Sequence, residues 1–236
     1  MEWKGKPKVS RKVEEQEFQL TCEGRRVPGV LWRPQARGEN GKLVLLGHGG
    51  TTHKRADYIL AVARWLARSH GIAAFAIDGP GHGDRLEKGV TAEFREAWSR
   101  EETTTETVAD WQAALNEIQK IVGAGPVGYW GLSMGTMMGL PLVAVEPRIK
   151  VALLGLMGFW GPNATELRNA APKITCPVRF LMQWDDEIVP RERALNLFDA
   201  LGSEDKALHA HPGLHSAIPV TTMRKTTKYL ASYLSA

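Results

Sequence analysis

An α/β fold with a mostly parallel central sheet is predicted by three features of this chain. Short uninterrupted apolar runs alternate with segments whose apolar residues recur at helical spacing. Several of those runs stop at glycine-rich loops, and a pair of segments near the N-terminus alternates polar and apolar residues, which adds an antiparallel hairpin at the start. With 236 residues the chain suits one α/β domain with a large core.

The elements follow in order. Residues 17–22 alternate polar and apolar, and residues 27–32 do the same after a turn at Glu23-Gly24, which makes the hairpin. Ahead of it, residues 1–16 carry Lys4, Lys6, Lys8, Arg11 and Lys12, then Glu14 and Glu15, and read as a solvated polar arm outside a domain spanning 17–236. A polar loop over 35–42 leads into residues 43–46, an apolar run suited to a strand buried on both faces. Gly47-His48-Gly49-Gly50-Thr51 ends it, after which Ile59, Val62, Ala63 and Leu66 mark a helix.

A second run, 72–77, ends at the loop Asp78 to Arg85. Residues 85–107 form a polar, lid-like insert in which Phe94, Ala97 and Trp98 share the face of a short helix. Val108, Trp111, Leu115, Ile118 and Val122 mark a firmer helix closed by Gly123. A strand at 127–130 runs into a helix that Pro141 is expected to kink or break. Strands follow at 151–156, 178–184 and 206–210. An irregular insert at 159–173, a helix around Ala194 and Leu201, and a terminal helix through Met223 and Leu234 complete the chain.

Composition narrows the function. Hydrophobic residues at 43% and charged residues at 24% are ordinary for a globular protein and exclude a disordered or fibrous chain. The net charge of +4 gathers partly in the N-terminal segment, with no recognition helix, zinc spacing or RNA-binding aromatic motif beside it, so nucleic acid is not an expected partner. Cys22 and Cys176 are expected as free buried thiols. No apolar run reaches the roughly 18 residues of a membrane span and no signal-peptide pattern opens the chain, so a cytoplasmic setting without membrane partners is expected. Oligomeric state leaves no mark in the sequence.

The chemistry gathers at strand ends, where parallel sheets place their sites. Gly131-Leu132-Ser133-Met134-Gly135 sits where strand gives way to helix and has the Gly-x-Ser-x-Gly form of a nucleophile elbow. A serine hydroxyl needs a general base and a carboxylate to orient that base. Asp185-Asp186-Glu187 follows one later strand, and His211-Pro212-Gly213-Leu214-His215 follows the last. Serine, then acid, then histidine is the order that separates one hydrolase fold from the two common serine-protease orders.

On these motifs the chain resembles the α/β-hydrolase superfamily from about Phe18 onward, and its glycine-rich Asp78 to Arg85 loop resembles dienelactone-hydrolase-like esterases. In that family the acid commonly precedes one residue, two apolar residues and proline, which selects Asp186, whereas the usual glycine three residues before it is Gln183 here. The glycine-containing turn before the family's histidine selects His215 over His211. The resemblance therefore implies a triad of Ser133, Asp186 and His215. Its oxyanion donors would be the backbone N–H groups of Met134 and Gly50, with Thr51 as second choice. Dienelactone hydrolase itself carries cysteine at the elbow, so its substrate does not transfer to Ser133.

Blander roles are expected for other residues. His48 reads as a brace of the oxyanion loop, and His82 and Asp84 as loop braces without a metal. The Gly79-x-Gly81-x-Gly83 spacing does not match a dinucleotide cradle. Trp98, Met157, Phe159 and Trp160 are candidates to line an apolar acyl pocket. The expected activity is hydrolysis of small or medium carboxylic esters without cofactor. Thioester or peptide hydrolysis could use the same residues, lyase or cofactor-free peroxidase chemistry could use the same fold, and a non-catalytic receptor is the rival from another class.

Overall fold

The computed structural model describes residues 1–35, 41–87 and 89–235. Among them nine strands form one sheet in the order β1-β2-β3-β5-β4-β6-β7-β8-β9. The first three, β1 (Glu2–Ser10), β2 (Val13–Cys22) and β3 (Arg25–Pro34), are an antiparallel meander, and β3 pairs antiparallel with β5 (Ala73–Ile77). From β5 outward the sheet is parallel through β4 (Leu43–Gly47), β6 (Val127–Gly131), β7 (Ile149–Gly155), β8 (Val178–Gln183) and β9 (Lys206–His211).

The helices are α1 (Asp57–Trp65), α2 (Val90–Trp98), α3 (Thr103–Val122), α4 (Met134–Val145), α5 (Ala164–Ala170), α6 (Arg191–Ala200) and α7 (Val220–Leu234). A π-helical turn, Leu66–His70, extends α1. Because adjacent strand residues face opposite ways, the central strands fill two cores. Leu45, Phe75, Tyr129 and Phe180 pack with α3, α4 and α6 on one face, and Val44, Leu46, Ala74 and Trp130 pack with α1 and α7 on the other.

Four expectations are corrected. The N-terminal arm is β1, and the expected boundary at residue 16 falls inside β2. β1 is exposed along its length, so it lacks the apolar alternation that marks a strand, and its lysines suit an unpaired sheet edge. The turn that joins it to β2 places both Arg11 and Lys12 at positive φ, a hairpin geometry usually announced by Asn-Gly. The expected polar loop at 35–42 lies mostly outside the described residues.

In the 85–107 insert, α3 starts at Thr103 although its first turns are polar. The Thr107 hydroxyl bonds the Thr103 carbonyl at 2.7 Å inside the helix, so the apolar period begins late. The 159–173 insert holds α5 and a 3-10 turn, Ala171–Lys173, in place of irregular chain. Finally, of the kink or break expected at Pro141 the break does not occur: α4 runs through Pro141 to Val145, and the carbonyl that proline leaves unpaired finds a donor on Asn163.

Candidate active site

The elbow is built from backbone constraints. Ser133 sits at φ 55° and ψ −123°, a conformation that L-residues rarely adopt and that must be held by its surroundings. Its N–H donates to the Gly155 carbonyl at 2.9 Å. The Thr136 hydroxyl lies 2.8 Å from the carbonyls of both Gly131 and Gly155 and accepts the Gly155 N–H at 2.8 Å, tying α4 to β6 and β7. Glycines let strand and helix touch: a Cβ at Gly135 would stand 2.3 Å from the Gly47 carbonyl oxygen, and one at Gly131 2.7 Å from the Gly135 oxygen.

The turn after β9 brings His215 over this serine. His215 Nε2 lies 2.9 Å from Ser133 Oγ, and Nδ1 lies 2.7 Å from Asp186 Oδ2. The other Asp186 oxygen accepts the N–H groups of Ile188 and Val189 at 2.9 and 2.8 Å, so the carboxylate is fixed from its own loop. A carboxylate at Nδ1 holds the proton there and leaves the Nε2 lone pair for the serine hydroxyl.

The neighbouring acids do different work. Glu187 accepts the His215 backbone N–H at 2.8 Å, and Asp185 accepts that of Gly213 at 3.2 Å. His211 pairs with Thr222 at 3.3 Å instead. Of the sequence candidates, the structure brings together Ser133, Asp186 and His215.

Most backbone amides of the elbow and of the loop after β4 are already engaged. The Gly49 N–H donates to Tyr58 Oη at 2.5 Å, and the Thr51 N–H to His82 Nε2 at 3.2 Å. On the elbow, the Ser133 N–H goes to Gly155 and the Gly135 N–H to the Leu132 carbonyl at 2.8 Å. Between these pairs, the Gly50 and Met134 N–H groups have no partner among the described residues. That takes Thr51, the second choice, out of competition.

Two histidines brace the loops behind these amides. His48 is fully buried; its Nε2 accepts the Gly79 N–H at 2.9 Å, so its proton sits on Nδ1 and points to the Gly49 carbonyl at 2.8 Å. Burial lowers its pKa to about 4. His82 likewise spends both nitrogens on backbone, Thr51 N–H and the Pro80 carbonyl, and burial lowers its pKa. Asp84 pairs with Lys54 at 2.6 Å, and Lys54 also meets the buried Asp78 at 2.7 Å. Each of these side chains is engaged in holding loop to loop.

A cavity of about 300 Å³ opens beside Ser133 and His215, on the sheet face covered by α1 and α7. Leu132, Leu156, Ile218, Val220 and Met223 make its wall mainly apolar, with Thr52 and Tyr58 near the oxyanion loop. The four residues expected there lie elsewhere. Trp98, Met157 and Phe159 are buried in the core of the opposite face, and Trp160 is exposed. Leu156, just after β7, reaches the cavity, and its neighbour Met157 joins that other core.

The chain matches the model of the alpha/beta hydrolase family over residues 43–232. It belongs to that family. Among solved structures, a cold-adapted esterase from an Arctic intertidal metagenomic library, bound to PEG, is 50% identical with a TM-score of 0.92, covering 99% of this chain and 100% of that one. A native structure of such an esterase is 47% identical with a TM-score of 0.86, at 99% and 100% coverage. Est1E from Butyrivibrio proteoclasticus with ferulic acid bound, 18% identical with a TM-score of 0.73 over 93% of this chain and 100% of that one, shares the fold. No curated protein matches. The membership is of the family as a whole; the dienelactone-hydrolase-like branch stays a resemblance of the 78–85 loop.

Within this alpha/beta hydrolase, Gln183 explains its own departure from the family glycine. It is fully buried, and its Nε2 donates to the Leu214 carbonyl at 3.0 Å, securing the turn that carries His215. The cavity residues Ser216, Ile218, Val220 and Met223 and the Thr52–Tyr58 pair were missed because no local pattern marks them. Their only signal was position, just after a strand-end loop.

Proposed function

We propose that the chain is a carboxylic ester hydrolase that works through an acyl-enzyme on Ser133. The observation that carries the reading is the Asp186–His215–Ser133 line, at 2.7 and 2.9 Å, beside two unengaged amides. The 50% identical esterase supports the same activity. His215 Nε2 takes the hydroxyl proton as Ser133 Oγ attacks the ester carbonyl. The resulting oxyanion rests on the N–H groups of Met134 and Gly50. As the carbonyl re-forms, the bond to the alcohol oxygen breaks and His215 returns its proton to the leaving alcohol. Water then attacks the acyl-enzyme by the same proton path and releases the acid and free Ser133.

The substrate class follows from the cavity. About 300 Å³ with a mainly apolar wall suits small or medium esters that place an uncharged apolar group there. The free thiols Cys22 and Cys176 fit a reducing compartment such as the cytoplasm, and no helix among the described residues is long and apolar enough to cross a membrane. A fluorophosphonate probe and nitrophenyl esters of graded acyl length test the activity. Wild type should label and turn over, and Ser133→Ala should do neither; an inert wild type would favour the receptor.

A further inference from the structure

The loop that leaves β4 has no regular structure, and Gly49 and Gly50 give its backbone wide conformational freedom. A catalytic amide in such a loop has to be aimed by side-chain bonds to its peptide. The Gly49 carbonyl and the Gly50 N–H belong to one planar trans peptide and point in opposite directions. Gripping the carbonyl therefore aims the amide.

Two groups grip it. His48 Nδ1 and Thr52 Oγ1 each lie 2.8 Å from the Gly49 oxygen. Thr52 spends its only hydroxyl hydrogen there, so the 3.1 Å contact between Thr52 Oγ1 and Tyr58 Oη is a bond donated by the tyrosine. Tyr58 Oη in turn accepts the Gly49 N–H at 2.5 Å. The ring closes: Gly49 N–H to Tyr58, Tyr58 to Thr52, Thr52 to the Gly49 carbonyl. Each hydroxyl both donates and accepts, so each bond polarises the next.

Tyr58 is itself well held. It lies in the first turn of α1, and its ring packs on Trp130 with centroids 6.1 Å apart. Trp130 is on β6, the strand that delivers Ser133, so nucleophile and oxyanion loop take their positions from one strand. Burial raises the Tyr58 pKa and keeps its hydroxyl able to donate. Both hydroxyls border the cavity, yet their hydrogens are committed to the loop and offer a substrate no free donor.

We propose that Tyr58 and Thr52 are positioning residues that aim the Gly50 N–H at the oxyanion through the Gly49–Gly50 peptide plane. The proposal rests on the reading that Ser133 attacks and Gly50 stabilises.

The test compares Tyr58→Phe, Thr52→Val, their double variant and Thr52→Ser. Outright loss of an oxyanion donor costs roughly 10²–10³ in rate, so a misaimed one should lower kcat on nitrophenyl butyrate by roughly tenfold with KM within about twofold. The double variant should match the worse single one, because both break the same ring. Thr52→Ser keeps the hydroxyl and should restore turnover. Affinity for a boronic acid, which forms a tetrahedral adduct on the serine, should fall by the same factor as kcat/KM, while affinity for the matching carboxamide should not.

Unchanged boronate affinity in folded Tyr58→Phe and Thr52→Val would overturn the proposal. So would an equal loss for boronate and carboxamide, which would make both residues merely cavity wall. Turnover retained by Ser133→Ala would instead overturn the hydrolase reading itself, whatever these variants do.

Discussion

Asn163 supplies the hydrogen-bond donor that Pro141 removes. An interior proline has no N–H for the carbonyl four residues back, here that of Met137. Asn163 Nδ2 lies 3.1 Å from that oxygen, and the residue is buried at the start of α5. The segment after β7 is thereby bonded to the helix that begins beside Ser133.

Asn163→Ala should destabilise the fold by about 1–3 kcal/mol, because it leaves the Met137 carbonyl buried and unpaired. Adding Pro141→Ala restores an N–H for that carbonyl. The double variant should therefore be more stable than Asn163→Ala alone in urea unfolding. Simple addition of two destabilising single effects would show that the two donors do not replace each other.

Acid should loosen the loops behind the site. The pKa of His48 is lowered to about 4 in the fold by burial, against an ordinary value of 6.5. The unfolded chain therefore takes up this proton first as pH falls. The stability His48 contributes is complete above about pH 6.5 and is lost progressively as pH drops toward about 4. His82, lowered in the same direction, adds to the slope. Urea unfolding at pH 7.5 and pH 5 should show this loss in wild type and a smaller one in His48→Gln; parallel losses would rule out His48 as the source.

Legibility in the sequence followed how local each signal was. The parallel strands were readable because burial on both faces leaves continuous apolar runs such as residues 43–46 and 72–77. Ser133 and the acid and histidine segments were readable because each stands just past a strand-like segment. β1 was not, since an exposed edge strand needs no apolar face and its lysines gave only a charge pattern. The cavity was not readable either. Its wall joins residues from the β4 loop, α1, the elbow, the end of β7 and residues 216–223, segments that only the strand order brings together.

The register of the acid is testable by single atoms. Asp186→Asn should lower turnover by orders of magnitude, because an amide at His215 Nδ1 permits the wrong tautomer. Asp185→Asn should stay within a few-fold of wild type on nitrophenyl esters, since among the described residues the Asp185 carboxylate meets the Gly213 N–H and, at 3.7 Å, Arg191, and not His215. The reverse ranking would shift the acid by one residue.

Cavity size should set the chain-length limit. Met223, on α7, forms part of the wall, and Met223→Ala would enlarge the space beside Ser133. The optimum in a graded nitrophenyl ester series should move to longer chains, with a loss of about 2–5 kcal/mol in stability for the truncated side chain. An unmoved optimum with the stability loss would place the substrate's apolar group outside this cavity.

Of two glycines given the same added methyl, one should lose stability and the other should not. At Gly135 a Cβ would lie 2.3 Å from the Gly47 carbonyl oxygen, backbone that cannot turn aside, so α4 and the end of β4 must part. At Gly50 none of the described residues lies within 4 Å of the added atom. Gly135→Ala should therefore cost about 1–3 kcal/mol. It should also slow fluorophosphonate labelling, because displacing α4 carries the Met134 N–H away from the oxyanion loop. Gly50→Ala should keep stability within about 0.5 kcal/mol of wild type. Thermal melts beside labelling rates separate the two, and equal stability for both would mean that the contact between Gly47 and Gly135 does not set the spacing of strand and helix.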